Sequence, residues 1–325
     1  MHPFTSDSSA SVGHLGEVAL IDQISQWLGS VSPAAPQGMG DDCAVLEPIH
    51  SGRQILTVDS VSYGQHFDAK VSPEDAGAKL IKRNLSDIAA MGGVPGPAVL
   101  ALLSSSDLSV QWLERFFTGI RQTCERHGVS LVGGDISSLA KSNFSAVLTL
   151  TGVAEAPTLR STAHVGDRIY VTGTLGGSIL GKHVSFEPRL AEGQWLAQNA
   201  HCRAQMDLTD GLAKDLKALV PADAHAALDL RKIPIAPAAQ TLAKQSGRPP
   251  LEHACCDGED YELLFTIDAE ADQHAFEDQW HQKFSQTELR CIGQIRPSAA
   301  MGVLIDAQTN SALPWAHGFE HLKSE

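Results

Sequence analysis

Carboxylates close or follow apolar runs throughout this sequence. The stretches are "GDDCAVL" (40–46), "LTVDSV" (56–61), "NLSDIAAMGG" (84–93), "LVGGDISS" (131–138), "MDLTDGL" (206–212) and "DGEDYELLF" (257–265). An aspartate at a helix start or in a turn accepts backbone N–H bonds, and this local account serves Asp210 before "GLAKDL" and Asp42 after Gly40. It does not serve Asp87, set in mid-helix between Leu85 and Ile88, or Asp59 at the end of a β-branched run. An acid among apolar neighbours is costly unless something pairs with it. Asp135, after "LVGG", falls where a strand end meets a ligand crevice. Hard divalent cations such as Mg²⁺ take oxygen ligands, commonly one or two carboxylates completed by water and phosphate. Acids from several strand and helix ends, brought to one place, would make a metal site for a polyphosphate.

Other chemistries are absent from the sequence. There is no G-x-x-x-x-G-K-[ST] loop, no G-x-G-x-x-G opening a helix, no G-x-S-x-G elbow and no H-E-x-x-H zinc motif. The glycines of "GTLGGSILG" (173–181) suit either a phosphate cradle or a tight strand-to-helix turn. His66, in "YGQHF", is the one histidine of 14 beside an acidic cluster.

The elements that must hold these groups alternate. "LGEVALIDQISQWLG" places Leu15, Val18, Ile21, Ile24 and Leu28 near helical spacing. "RQILTVDSV" reads as a strand ending near Asp59. "VSPEDAGAKLIKRNLSDIAAMGG" reads as a helix with Ser72 as cap, Pro73 at its first position and a stop at Gly92-Gly93. A second helix, "SVQWLERFFTGIRQTCERHG", follows the strand "PAVLALLSS", and "VSLVGGD" and "SAVLTLTGVAE" are further strands. After "APTLRSTAHVGD" the pattern begins again: strands in "RIYVTG", "AALDL", "YELLFTI", "LRCIGQI" and "GVLIDA", and helices in "PRLAEGQWLAQNA", "GLAKDLKALV" and "AEADQHAFEDQWHQKF". The expectation is a mixed α/β chain of two domains, 15–156 and 157–325, behind a flexible tail of residues 1–14.

The 325 residues carry 24 Lys and Arg against 38 Asp and Glu, a formal charge of −14, which argues against nucleic acid as a partner. An anionic small molecule would be repelled too, unless metal ions invert the local field. Six cysteines without C-x-x-C spacing read as reduced thiols of a cytoplasmic protein. The opening "MHPFTSDSSASVG" has no basic or apolar region of a signal peptide, and no run reaches membrane-spanning length.

Taken together and in order, "GDDCAVL", "NLSDIAAMG", "GGD", "GDRIYVTGTLG" and "GEDYELLFT" resemble the thiamine-monophosphate kinase family of the aminoimidazole ribonucleotide synthetase-like superfamily. The resemblance runs from about Leu15 to Phe319. It implies a two-domain α/β fold that dimerises through the N-terminal sheet. The implied reaction is direct, in-line transfer of the γ-phosphoryl group of ATP to thiamine monophosphate, assisted by several Mg²⁺ ions. By motif position it assigns metal ligation to Asp41, Thr57, Val58, Asp59, Asp87, Asp135, Asp207 and Asp210. ATP falls to Gly134, Asp135, Arg160 and Thr209, and thiamine monophosphate to His66, Glu259 and Phe319. The acceptor is a phosphate monoester whose oxygen is anionic near neutral pH, so no general base is required. The sequence departs from the family pattern at Val58, Tyr63, Ile136, Ser137 and Asp257.

Three alternatives stand beside this expectation. Another ATP-dependent enzyme of the superfamily would carry a reactive cysteine near one terminus, where this chain has "MHPFTSDSSASVG" and "HLKSE". A two-metal phosphohydrolase would mix several histidines with its acids. A catalytically silent Mg-nucleotide-binding module would bind without turnover.

Overall fold

The computed structural model describes residues 1–40, 43–297, 304–315 and 317–320. The chain divides into two units, residues 1–88 with 93–155, and residues 89–92 with 156–325.

In the first unit α1 (Val12–Leu15) and α2 (Glu17–Leu28) precede β1 (Arg53–Ser62), α3 (Pro73–Ala90), β2 (Val94–Ser104), α4 (Val110–His127), β3 (Leu131–Ser138) and β4 (Phe144–Ala154). Ser72 caps as read, its Oγ accepting the Asp75 N–H at 3.0 Å; Ser109, which the sequence reading did not single out, caps α4 by accepting the Trp112 N–H. Gly128 ends α4 in the left-handed region at φ 68°, where glycine has no Cβ to clash. The sheet order is β1-β4-β2-β3, antiparallel except for the parallel pair β2/β3. Strand residues alternate as the pleat requires. Phe144, Ala146, Leu148 and Leu150 are buried on one face, together with Trp112 and Phe116 of α4. The other face carries Leu56 and Val58 of β1, 67% and 60% exposed, and Val99 of β2. Helices α3 and α4 approach through glycines: a Cβ on Gly119 would stand 1.9 Å from the Glu74 carbonyl, and one on Gly77 would stand 2.0 Å from that of Phe116.

Two local expectations change. The buried stripe of α2 is Leu20, Ile24 and Leu28, while Val18 is 77% exposed and Ile21 also faces out. Periodicity alone left the phase of this stripe open, and Leu20 with Ile24 and Leu28 fits an i, i+4, i+8 row better. The opening residues, expected as a loose tail, are instead fastened. Ser109 donates its N–H to the Pro3 carbonyl, Thr5 donates to the Asp107 carbonyl, Ser11 pairs with Ser109, and Pro3 and Val12 are buried.

The second unit holds β5 (Arg168–Thr172), α5 (Lys182–Ser185), α6 (Leu190–Ala197), β6 (Cys202–Asp207), α7 (Leu212–Asp215) and β7 (Ala224–Leu228). It continues with α8 (Pro237–Ser246), α9 (Pro250–Cys256), β8 (Leu263–Ile267), α10 (Gln273–Lys283), β9 (Leu289–Pro297) and β10 (Leu304–Asp306). Its sheet runs β10-β7-β9-β5-β8-β6, parallel only at β10/β7. One face buries Ile169, Val171, Leu264 and Ile292; the other buries Tyr170 and Phe265 against Phe276 and Trp280 of α10. The Pro-led helices α8 and α9 fill a stretch in which the sequence showed no helix.

Burial pushes the thiols of Cys124 and Cys202 up to about 12 and that of Cys256 up to about 11. Those of Cys255 and Cys291 also rise through burial. Of the six cysteines, all free, only Cys43 is exposed. No helix among the described residues is long and apolar enough to cross a membrane.

Candidate functional site

In the first unit the predicted residues gather along β1 and one row of α3. Thr57 Oγ1 donates to Asp87 Oδ2, and Arg83 donates to Asp59 Oδ1 at 2.9 Å and to the Ser60 carbonyl at 2.7 Å. Beyond the end of β1, Lys79 Nζ donates to the His66 carbonyl at 2.9 Å, and the Ser62 N–H donates to His66 Nδ1. Lys79, Arg83 and Asp87 are spaced four apart, so one helix face presents them in line to the strand and its turn. That answers the cost of a mid-helix acid at Asp87, which is half-buried and hydrogen-bonded. Sequence reasoning missed Lys79 and Arg83, though the four-residue interval back from Asp87 was the signal. Val58 points to the opposite, exposed face of β1, so only its backbone can join Thr57 and Asp59. Asp41 lies outside the described residues.

Asp135 stands apart from this group. β1 and β3 are the two edges of the sheet, about 14 Å apart at ordinary strand spacing. Asp135 pairs in register with Ala101, next to Val147, on the outer face. It accepts from Ser137 Oγ at 2.8 Å and lines a cleft of about 740 Å³ with Gly134, Val99, Thr149, Ile21 and Leu46. That volume suits a small organic ligand. Gly134 is required there, since a Cβ would stand 2.0 Å from the Leu100 carbonyl.

The second unit brings three distant segments together. β6 ends at Asp207. The Thr209 carbonyl accepts the Glu259 N–H at 2.7 Å, and the Leu208 carbonyl accepts the Tyr261 N–H at 2.8 Å. The Asp210 carbonyl accepts the Phe319 N–H at 3.0 Å, and Lys214 Nζ donates to both Asp210 Oδ2 and the Phe319 carbonyl at 2.6 Å. Asp207, Thr209, Asp210, Glu259 and Phe319 therefore share one locality, with Phe319 46% exposed. Glu259 and Tyr261 hold φ of 53° and 50°, a strained choice for residues with a Cβ that surrounding structure must enforce. Asp215, missed from the sequence, accepts the N–H groups of Thr209 and Asp210 at 2.9 Å and so shapes the turn. Burial pushes its carboxyl up to about 6. Arg160 is not part of this group: its turn is tied through Thr162 to the Arg203 carbonyl, near the other end of β6.

The glycine-rich loop resolves in favour of the turn. Gly176 N–H donates to Asp260 Oδ1 at 2.8 Å, Gly177 N–H to Asp257 Oδ2 at 3.0 Å, and Ser178 Oγ to the Gly258 carbonyl at 2.6 Å. Those N–H groups are committed to the protein and fasten the loop to the segment that carries Glu259. Asp257, a departure from the family pattern, is fully used: it also accepts from His253 Nδ1 and Arg248. Behind the loop Glu262 is buried; Arg189 and Lys182 outweigh its burial and hold its carboxyl below the usual glutamate range. Asp260, wholly buried, is pushed up to about 7 by burial, against the pull of Lys182 and the Gly176 N–H.

Every predicted ligand except Val58 offers a side-chain carboxylate or hydroxyl oxygen, the donor type of a hard cation. Among the described residues no three carboxylate, imidazole or thiol groups form a ready-made cage. Mg²⁺ does not need one, since water and phosphate complete its shell. Asp87 with Thr57, and Asp207 and Asp210 flanking one turn, fit that requirement.

Residues 40–154 match the model of the AIR synthase related protein, N-terminal domain. A thiamine-monophosphate kinase of Rhodopirellula baltica is 37% identical over 72% of this chain and 77% of its own length. Another, from Aquifex aeolicus, is 32% identical over 93% of this chain and 98% of its own. The chain belongs to the thiamine-monophosphate kinase family. Solved structures agree. AaThiL complexed with AMPPCP and TMP superposes with a TM-score of 0.72 at 27% identity, covering 95% of this chain and 98% of that one. The family's Stenotrophomonas maltophilia enzyme gives 0.74 at 27% identity, covering 90% and 96%. The hydrogenase maturation protein HypE, at 16% identity and a TM-score of 0.72, shares the fold. Members of the kinase family are phosphotransferases, and this chain is an enzyme of that class.

Proposed function

We propose that the protein transfers the γ-phosphoryl group of ATP directly to thiamine monophosphate, giving thiamine diphosphate and ADP. The observation that carries this reading is the convergence of Asp207, Thr209, Asp210, Glu259 and Phe319 from three distant segments, within a family whose AaThiL member was solved with AMPPCP and TMP. An acceptor phosphate oxygen attacks the γ-phosphorus as the bond to the β-phosphate oxygen breaks, and no proton has to be removed. The demand on the protein is alignment and charge neutralisation.

Bound Mg²⁺ supplies electrostatic stabilisation of the transferring group. Asp41, Thr57, Asp59, Asp87 and Asp135, with Asp207 and Asp210, are the residues proposed to hold it, Val58 through its backbone. Arg83 and Lys214, ion-paired to Asp59 and Asp210, hold those carboxylates in place. Gly134, Asp135, Arg160 and Thr209 are assigned to the nucleotide, and His66, Glu259 and Phe319 to thiamine monophosphate. The pairing of Asp257 with His253, Arg248 and Gly177 neutralises a charge that would otherwise favour a silent nucleotide-binding module.

The exposed apolar sheet face of Leu56, Val58 and Val99 supports a homodimer through the first unit. Six free cysteines support a reducing, cytoplasmic compartment.

The test is ADP release from Mg-ATP with and without thiamine monophosphate, with the thiamine product identified by chromatography. Acceptor-dependent ADP and thiamine diphosphate are expected, and Asp87→Asn should lower both by about a hundredfold or more. ADP released without acceptor, or tight nucleotide binding with no ADP, would sink the reading.

A further inference from the structure

The fastened N-terminal segment brings two rings to the turn that carries His66. The Pro3 carbonyl accepts from Ser109 N–H at 2.8 Å, and Thr5 N–H donates to the Asp107 carbonyl at 2.9 Å. Phe4, between them, is bridged to Leu108 and held from both sides. Its ring meets Tyr63 at 5.6 Å between centroids and 88° between planes, and His2 meets Tyr63 at 5.7 Å and 69°. Tyr63 also meets Phe67 at 5.7 Å and 70°.

Tyr63 and His66 belong to one tight turn. Gly64 N–H donates to the Phe67 carbonyl at 2.8 Å, His66 N–H to the Ser62 carbonyl at 3.0 Å, and Tyr63 N–H to the Phe144 carbonyl at 3.1 Å. Whatever docks at His66 therefore docks beside Tyr63. An edge-to-face contact occupies a face of only one of its two rings, and Phe4 and Tyr63 are only half-buried. Ordering a polar, serine-rich segment costs about 1–2 kcal/mol per residue in backbone entropy, so a contribution to the site gives that ordering a use.

We propose that His2, Phe4 and Tyr63 form an aromatic wall of the acceptor site, taking a flat cationic heteroaromatic ring whose phosphate lies toward the transfer centre. This rests on the reading of His66 as an acceptor-binding residue. Thiamine monophosphate carries a quaternary thiazolium, and a ring face within about 6 Å attracts such a cation. Tyr63, a departure from the family pattern, and the N-terminal segment then act as one device: the tyrosine supplies a face and the segment fixes its tilt.

The experiment is calorimetric titration of the untagged full chain with thiamine monophosphate, at saturating Mg-AMPPCP, for wild type, Phe4→Leu, Tyr63→Leu and His66→Ala. Leucine keeps the apolar bulk and removes the π face. Phe4→Leu and Tyr63→Leu should each weaken the acceptor about threefold to tenfold, with nucleotide affinity and melting midpoint unchanged. Phe4→Trp, which restores a face, should recover the affinity, and it decides the matter if Phe4→Leu also lowers the melting midpoint. Wild-type affinity in both leucine variants, or an equal loss for the nucleotide, overturns the wall. Should His66→Ala alone abolish binding, the wall falls and the kinase reading stands. A wild type that never binds thiamine monophosphate sinks both.

Discussion

Asp260 and Glu262 sit two residues apart, both buried, and burial raises both carboxyls, yet the net shifts are opposite. Glu262 is held below its ordinary value because Arg189, Lys182 and Thr172 reach it. Asp260 has the Gly176 N–H on one oxygen, while Oδ2 has no hydrogen-bond partner among the described residues. Its carboxyl, at about 7 against an ordinary 3.8, holds in the native state a proton that the unfolded chain has released. Native protein then binds more protons between those values, and stability from this group falls as pH rises from about 4 to about 7. Glu262 acts in the other direction, contributing above its ordinary value and losing that contribution as pH falls below it. Urea midpoints at pH 5 and pH 8 should therefore differ less in Asp260→Asn than in wild type. An unchanged difference would place the titration elsewhere. The acids themselves were legible as types and positions. Of the cations that hold them, Arg83 left a signal in its four-residue interval from Asp87, but Lys182 and Arg189 did not, because their partner Glu262 lies 80 and 73 residues away.

At the scale of elements, close approach of backbones governs what the site tolerates. Gly134→Ala forces a Cβ onto the Leu100 carbonyl, at 2.0 Å, so β3 must move off β2 and carry Asp135 with it. A loss of about 1–3 kcal/mol is expected, read in the melting midpoint, together with weaker nucleotide binding. Gly119→Ala meets the Glu74 carbonyl at 1.9 Å and should cost a similar amount, while leaving nucleotide affinity intact in the protein that remains folded. Equal nucleotide defects in the two variants would refute the placement of Asp135 at the nucleotide. α3 was readable because cap, proline, acidic first turn and glycine stop all agree, and α4 because its apolar spacing ends at Gly128. α8 and α9 were not: α8 buries only Ala239, and α9 buries His253, Ala254, Cys255 and Cys256, so neither shows a large apolar stripe. Sheet order was also beyond reach, since which strands become edges depends on packing of the whole layer.

For the whole molecule, the apolar outer face of the first sheet sets the expected assembly. Val58→Asp, on the face opposite Thr57 and Asp59, should shift a sedimenting dimer to monomer at micromolar concentration, with far-ultraviolet dichroism unchanged. A dimer that persists in Val58→Asp and in Leu56→Asp would place the interface elsewhere. Composition leads to the expectation of a metal-dependent partner for an acidic chain of charge −14. It could not foresee that Asp135 stands a sheet's width from Asp87, because distance along the chain carries no information about opposite edges of a layer.

With three of the other thiols buried and two half-buried, Cys43 is a chemically addressable position without any engineering. Substoichiometric maleimide at neutral pH should label it first, two residues from Asp41 and among the residues that line the cleft with Asp135. A fluorophore there would report nucleotide occupancy in the native sequence, turning one unprotected sulfur into an optical gauge of the proposed metal-nucleotide site.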